Sequence, residues 1–202
     1  MEGNLFDLAD WRRRVAELYA SIRSAQDPSR AWALWAATRD DLIRDHPQSP
    51  LPEETRASFS GAFYYDYDPA ARVLGVVTPA DPQRYEIPTS DNGTMAFSRF
   101  ADVSFELRGR DAKLELYWLD GYGGGIFLSF RDTTSGSTTY GAGRYLLDTI
   151  KGADLGMQDG KLVLDFNFAY NPSCSYDPRW ICPLAPPPNR LDFAVEAGER
   201  TA

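Results

Sequence analysis

The chain has 202 residues, of which 43% are hydrophobic and 13% aromatic, so it can form a core without disulfides or a structural metal. Its formal net charge of −8 argues against the broad basic surface that non-specific nucleic-acid binding requires. No segment offers about 18 uncharged apolar residues, and the N-terminal region lacks a signal-peptide pattern, so we expect a cytoplasmic protein that does not cross a membrane.

Two helices are predicted within residues 1–53, which we interpret as a helical segment packed on a sheet. In residues 5–24, Leu8, Val15 and Leu18 recur at helical spacing with charged residues between them. A second helix should begin where Asp27 can act as the cap and Pro28 suits the first helical position. The segment HPQSPLP then ends it, because proline cannot continue a helix.

Residues 54–202 predict an antiparallel β domain that folds cooperatively with the helices. Aromatic and β-branched segments alternate with turn residues, and DNGT and QDGK carry the dipeptides of tight hairpins. The predicted fold class is mainly β within α+β: a curled antiparallel meander or partly open β-barrel with two N-terminal helices. Eight strands are expected at residues 59–65, 72–78, 85–88, 95–107, 113–119, 126–130, 144–149 and 161–170, with a further candidate at 191–196.

A proline-rich segment, residues 170–190, follows the predicted strand at 161–170. It contains six prolines and both cysteines of the chain. Proline removes donors and restricts the backbone, so we interpret the segment as a rigid strap across a sheet edge or barrel mouth, anchored by its aromatic residues and by Asn189 and Arg190. The functional alternative is a lid over a ligand pocket.

The segment FRDTTSGSTTYGAGRY combines hydroxyl side chains, two arginines and glycines between two predicted strands. Turn amides in such a loop can form a concave anion site, although no P-loop ending is present. The structural alternative is a hairpin in which Arg131 or Arg144 pairs with Asp132. The predicted ligand-binding residues are Arg131, Asp132, Thr134, Ser135, Tyr140 and Arg144.

These motifs resemble a prokaryotic family catalogued as domain of unknown function 1684. The resemblance covers about residues 30–200 and includes the strand end at residues 130–132, the turn at 134–136, the strand start at 140–145, the loop at 171–191 and HPQSPL at 46–51. It implies no reaction, cofactor or catalytic residue.

The two cysteines and the single histidine do not complete a recognisable metal site. Cys174 and Cys182 are expected to be free thiols in the reducing cytoplasm, or a pair that bonds on oxidation, and we predict no metal and no cofactor. Any Ser–His or Cys–His mechanism within the chain would need His46, for which a role at the end of the second helix is favoured.

Three functions from different classes fit these observations. The leading hypothesis is a module that binds a small polar or anionic molecule between the meander and the strap. A second is a cofactor-free hydrolase or isomerase that uses aspartate and tyrosine in the same cavity. A third is a structural or oligomerising protein whose tryptophan-rich helices form the interface. The aspartates available for acid–base chemistry are Asp66, Asp68, Asp132, Asp165 and Asp177.

The positive charge is carried almost entirely by arginine. Only three of the 21 basic residues are lysines. Arginine suits bidentate recognition of carboxylate or phosphate, and a GC-rich genome produces the same bias.

Overall fold

The structure, a computed structural model, describes residues 4–201 and contains three helices in that range: α1, Leu5–Ser24; α2, Pro28–Asp45; and the single turn α3, Glu53–Arg56. The side chain of Asn4 caps α1 in a reciprocal box with Asp7. Asp27 caps α2, and Pro28 occupies its first helical position. Both long helices are therefore confirmed. Neither they nor α3 is long and apolar enough to cross a membrane.

Nine strands follow within the described residues: β1, Phe63–Tyr64; β2, Arg72–Pro88; β3, Thr94–Leu107; β4, Arg110–Leu119; β5, Ile126–Phe130; β6, Arg144–Asp148; β7, Met157–Gln158; β8, Lys161–Asp165; and β9, Glu199–Arg200. Seven of them form one antiparallel sheet in the order β6-β5-β4-β3-β2-β8-β7, and β1 pairs with β9. The sheet is open, because its edge strands β6 and β7 are not paired with each other. The predicted α+β class, with helices preceding an antiparallel sheet, is confirmed.

One long strand, β2, replaces the two strands predicted at residues 72–78 and 85–88. Pro79 and Pro82 indicated an interruption, because proline cannot donate to a ladder. The ladder to β3 instead shifts its register after Pro79 and resumes beyond the bulge. On its other side β2 pairs with β8 only at residues 72–75. Pro79 and Pro82 lie beyond this range, so no strand on that side requires an amide donor from them.

Strand β8 ends at Asp165, earlier than the predicted end at residue 170. The Asp165 carboxylate accepts a hydrogen bond from the amide of Asn167 and caps the 3-10 turn Phe166–Phe168. Leu164 packs in the core on one face of the sheet, whereas Val163 packs against the helices on the other. The short strand is therefore buried on both faces.

The two long helices cover the sheet face on which Val163 lies. Tyr19 and Trp35 are each 2% exposed and pack with Phe168 and Val163. The indole N–H of Trp35 donates to the Tyr19 hydroxyl at 3.2 Å. These aromatic side chains join the helices to the sheet, and those of Tyr19 and Trp35 are not available at the surface.

No strand forms at residues 191–196, although the alternation that predicted one is present. Leu191, Phe193 and Val195 are all buried. Where a neighbouring strand would supply amide donors, the guanidinium of Arg144 on β6 donates to the carbonyls of Val195, Ala197 and Glu199. Backbone hydrogen bonds join Leu191 and Phe193 to residues 131–133, and the Arg144 side chain supplies the donors farther along the segment.

Arg144 is 1% exposed and pairs with Asp132, which is 2% exposed. Its Nη2 donates to Asp132 Oδ2 at 2.8 Å and to the Val195 carbonyl at 2.9 Å. Together with the two bonds from Nη1, four of its five N–H donors are engaged. Burial lowers the pKa of Arg144, and the Asp132 carboxylate opposes that shift. The pair is fully enclosed, and the chain itself supplies the acceptors for these four donors.

Replacing Arg144 by alanine should destabilise the fold by about 3–5 kcal/mol, because Asp132 and three carbonyls would be left buried without their donor. Arg144→Lys should recover only part of the loss, since an ammonium has three donors in a different geometry. Urea unfolding followed by circular dichroism measures the change. The exposed Arg190→Ala is the control and should stay within about 0.5 kcal/mol of the parent. A loss below about 1 kcal/mol for Arg144→Ala would contradict this role.

Asp165 makes the stability depend on pH. Burial raises its pKa to about 6, opposed by hydrogen bonds from Asn167. The unfolded value is about 3.9, so the protonated carboxyl stabilises the folded chain below about pH 4, and that contribution is lost as the pH rises to about 6. Between pH 4 and 7, Asp165→Asn should therefore gain up to about 3 kcal/mol relative to the parent.

Chemical denaturation of both proteins across this pH range tests the effect. Asp159→Asn provides a matched control in the exposed turn before β8. A pH-independent difference between Asp165→Asn and the parent would show that the ionisation of Asp165 is not coupled to folding.

Candidate functional site

The hairpin segment predicted to bind a ligand folds largely onto itself. The buried pair of Asp132 and Arg144 is the structural alternative considered for this motif. Thr134 is 7% exposed, and its backbone amide donates to Asp132 Oδ1 at 2.6 Å. The Ser135 hydroxyl accepts the Asp132 amide at 3.1 Å. These four residues are brought together, but their polar atoms are directed at one another.

Arg131 and Tyr140 lie at the edges of this cluster. Arg131 is partly exposed, and its buried Nε has no hydrogen-bond partner among the described residues. The Tyr140 hydroxyl lies 3.7 Å from the sulfur of Cys174 and its ring lines an open groove beside Tyr176. Ligand binding by the six residues together stays a prediction, but Arg144 has little hydrogen-bonding capacity left for it.

His46 occupies the position predicted for it at the end of α2. Its Nδ1 accepts the amide of Gln48 at 3.0 Å, which assigns the proton to Nε2, 3.2 Å from Asp10 Oδ2. The hydrogen bond to His46 lowers the pKa of Asp10. The imidazole thus ties the end of α2 to α1.

The candidate acid–base aspartates are engaged with different partners. Asp68 accepts from Arg108 and Asp177 pairs with Arg179 at 3.4 Å. Asp165 lies beside Asn167, and Asp132 beside Arg144, as described above. Asn167 links the Asp165 carboxylate to the backbone of Asp68, whereas Asp132 and Asp177 have separate partners.

The proline-rich strap, residues 170–190, runs over the loop after α2 and the β2–β3 turn. The Trp180 indole donates to the Pro50 carbonyl at 3.0 Å, and the Leu184 amide donates to the Pro88 carbonyl at 2.9 Å. The strap therefore contacts both segments, and its covering role stays a prediction.

Asn189 anchors the end of the strap inside the sheet. Its Oδ1 accepts the Glu115 amide at 2.7 Å, and its Nδ2 donates to the carbonyls of Glu115 and Ser129, each at 2.9 Å. Strands β4 and β5 pair only at two positions, and the amide of Asn189 bridges them where they separate. Asn189 thus takes the place of a strand residue.

A pocket opens between the two long helices, β6 and the first residues of the strap. The enclosed part of the cavity has a volume of about 60 Å³ and opens to solvent at its mouth. Its walls are mainly apolar and aromatic, which is typical of small-molecule sites. The residues that define it are Trp11, Tyr19, Trp35, Arg39, Tyr145 and Asn171.

One wall residue of this pocket, Arg39, belongs to a buried ion pair with Glu199. Arg39 Nη2 lies 2.9 Å from Glu199 Oε2, and the side chains are 14% and 2% exposed. Glu199 also accepts hydrogen bonds from the Tyr176 hydroxyl and from the backbone and side chain of Asn171. Burial alone would lower the pKa of Arg39, but the Glu199 carboxylate raises it above its ordinary value. The guanidinium therefore stays charged and stacks 4.7 Å from the ring centre of Tyr170.

The tyrosines around the pocket are held in their protonated form. Burial raises the pKa of Tyr145, Tyr170 and Tyr176 well above the ordinary value. Their hydroxyls therefore suit hydrogen-bond donation to a neighbour or ligand and not proton abstraction at neutral pH.

Asn171 lines the pocket and carries an unsatisfied buried acceptor. The residue is 7% exposed, and its Oδ1 has no hydrogen-bond partner among the described residues. The orientation of this amide follows from chemistry: Glu199 Oε1, 3.0 Å away, accepts only, so the nitrogen must face it. The oxygen consequently faces away from Glu199 and needs a donor.

Sequence reasoning missed Arg39, Asn171 and Glu199. A signal existed for two of them. Arg39 follows Trp32 and Trp35 in the apolar stripe of α2. Glu199 is the next position after Ala197 in the alternating series of buried residues that begins at Leu191. A charged residue in an apolar position of each pattern indicates a buried partner of opposite charge.

Comparisons place the chain in a family without assigning an activity. A family model described as Protein of unknown function (DUF1684) matches residues 57–200, the range that contains all nine strands. The chain is also similar to a solution NMR structure of an uncharacterized protein from Haloarcula marismortui, at 37% identity and a TM-score of 0.61, over 84% of this chain and 91% of that one. No curated protein matches it. The resemblance drawn from the sequence is confirmed, and the chain belongs to the family described as Protein of unknown function (DUF1684).

Proposed function

We propose that this protein binds a small polar molecule in the pocket between its helices and the first residues of the strap. The observation that carries the proposal is the buried Asn171 Oδ1, which lacks a partner at a largely aromatic cavity. A buried acceptor without a donor costs about 1–3 kcal/mol, and a bound N–H or O–H group would offset that cost.

The charges around the pocket favour a neutral ligand over a strongly anionic one. Arg39 is neutralised by Glu199, and Lys151 at the wall lies 3.5 Å from Asp148. Each cation therefore has its own carboxylate. The sequence predicted a polar or an anionic ligand, and these ion pairs favour the polar one.

The cavity dimensions and walls further restrict the ligand. The narrow interior admits a flat group that can lie against Trp35 and Tyr145, with its polar end toward Asn171. A primary amide on an aromatic ring has these properties, because it supplies N–H donors and an apolar body.

Benzamide and N,N-dimethylbenzamide form a matched pair of probes for ligand-observed NMR. We expect benzamide to bind at least about tenfold more tightly, because the dimethyl compound cannot donate to Asn171 and a site built for a hydrogen bond rejects analogues without it. Val15→Trp, which enlarges a wall residue on α1, should abolish binding. Ala20→Trp adds the same side chain to the exposed face of α1 and should leave it unchanged.

Three results would count against the proposal. Equal binding of the two amides would remove the role of the Asn171 acceptor. Retention of benzamide binding in Val15→Trp would locate the site elsewhere, and absence of binding by both probes would leave water as the partner of Asn171.

A further inference from the structure

The strap brings the two thiols of the chain into contact. Cys174 and Cys182 are both free and are 9% and 3% exposed. The Cys182 sulfur accepts the backbone amide of Cys174 at 3.4 Å, and its thiol hydrogen-bonds the Cys174 sulfur. The chain therefore folds back on itself between the two residues, so that their sulfurs are neighbours.

Neighbouring groups hold this arrangement in place. The Ser90 hydroxyl accepts the Cys182 amide at 3.1 Å, and the Ser90 amide donates to the Cys182 carbonyl at 3.0 Å. The Trp180 indole is bound to the Pro50 carbonyl, as described above. The pairing of the thiols is thus built into the contacts of the strap with the β2–β3 turn and the loop after α2.

The surroundings distinguish the two sulfurs. The Cys182 thiol and the Tyr140 hydroxyl, 3.7 Å away, hydrogen-bond the Cys174 sulfur and lower the pKa of Cys174. The hydrogen bond to Cys174 raises the pKa of Cys182. The Tyr140 contact and the greater exposure of Cys174 favour it as the nucleophile, with Cys182 as the resolving thiol.

We propose that Cys174 and Cys182 form a hydroperoxide-reactive dithiol site, in which Cys174 is oxidised first and Cys182 converts it to a disulfide. Tyr140, whose hydroxyl contacts the Cys174 sulfur, lines a surface groove together with Ser175. The test of this site involves no ligand.

The hydroperoxide would convert the two thiols to a disulfide in two steps. The Cys174 thiolate attacks one oxygen of a hydroperoxide, the O–O bond breaks, and the other oxygen leaves as an alcohol or water with the proton released by the thiol. The Cys182 thiol then attacks the resulting sulfenic acid, an S–S bond forms, and the hydroxyl leaves as water with the Cys182 proton. Two thiols lose two electrons, which reduce the O–O bond, and an added dithiol reverses the oxidation.

Hydrogen peroxide added to the full chain at neutral pH tests the proposal by intact mass. The parent should lose two hydrogen atoms in mass and regain them with dithiothreitol. Cys182→Ser should stop at a sulfenic acid that dimedone traps, and should react about tenfold faster than Cys174→Ser because Cys174 is the more exposed thiol and its sulfur contacts the Tyr140 hydroxyl. In urea, where the fold is lost, the two variants should react at equal rates.

A measurement on the parent alone removes the dependence on variants. Brief alkylation of the native chain with limiting iodoacetamide, followed by peptide mapping, should place the label on Cys174. Label mainly on Cys182 would overturn the proposal. So would equal peroxide rates for the two variants in the native state, a rate difference that persists in urea, or addition of oxygen to the parent without formation of an intramolecular disulfide.

Discussion

The C-terminal part of the fold depends on the hydrogen bonds that the guanidinium of Arg144 donates to its carbonyls. The chain near Val195 and Ala197 is buried, yet these residues lie outside the strands, so their carbonyls need donors from elsewhere. Arg144 supplies those donors from β6, and Asp132 balances its charge. Removal of either charge would leave the other buried and unpaired. The C-terminal segment therefore requires both members of the pair.

Glu199 connects this contact to the pocket. Its carbonyl accepts from Arg144, while its carboxylate accepts from Arg39 on α2. The final strand is therefore held from both sides, by one arginine of the sheet and one of the helical layer. Because Asn171 also donates twice to this carboxylate, the core fixes the orientation of the unsatisfied amide oxygen. The side chain of Asn171 is consequently held in one orientation at the pocket wall.

The elements that could be predicted from the sequence are those with local causes. Asp27 and Pro28 mark the start of α2 because cap chemistry acts within one turn. The continuity of β2 past Pro79 depends on its pairing with β3, which no local pattern encodes. In the candidate site, too, local features could be predicted and contacts between distant residues could not. The hydroxyls around Thr134 were visible as a cluster, but their inward direction was not, and Arg39 meets Glu199 across 160 residues.

The arginine content of the chain has a structural use in these contacts. A planar guanidinium can serve several acceptors in different directions, whereas an ammonium cannot reproduce that geometry. Arg144 serves three carbonyls and a carboxylate, and Arg179 donates to the carbonyls of Ser49 and Leu51. Arg39 serves Glu199 in the same way. The acceptors recognised by these arginines therefore belong to the chain itself, and for that reason the arginine-rich composition does not by itself indicate an anionic ligand.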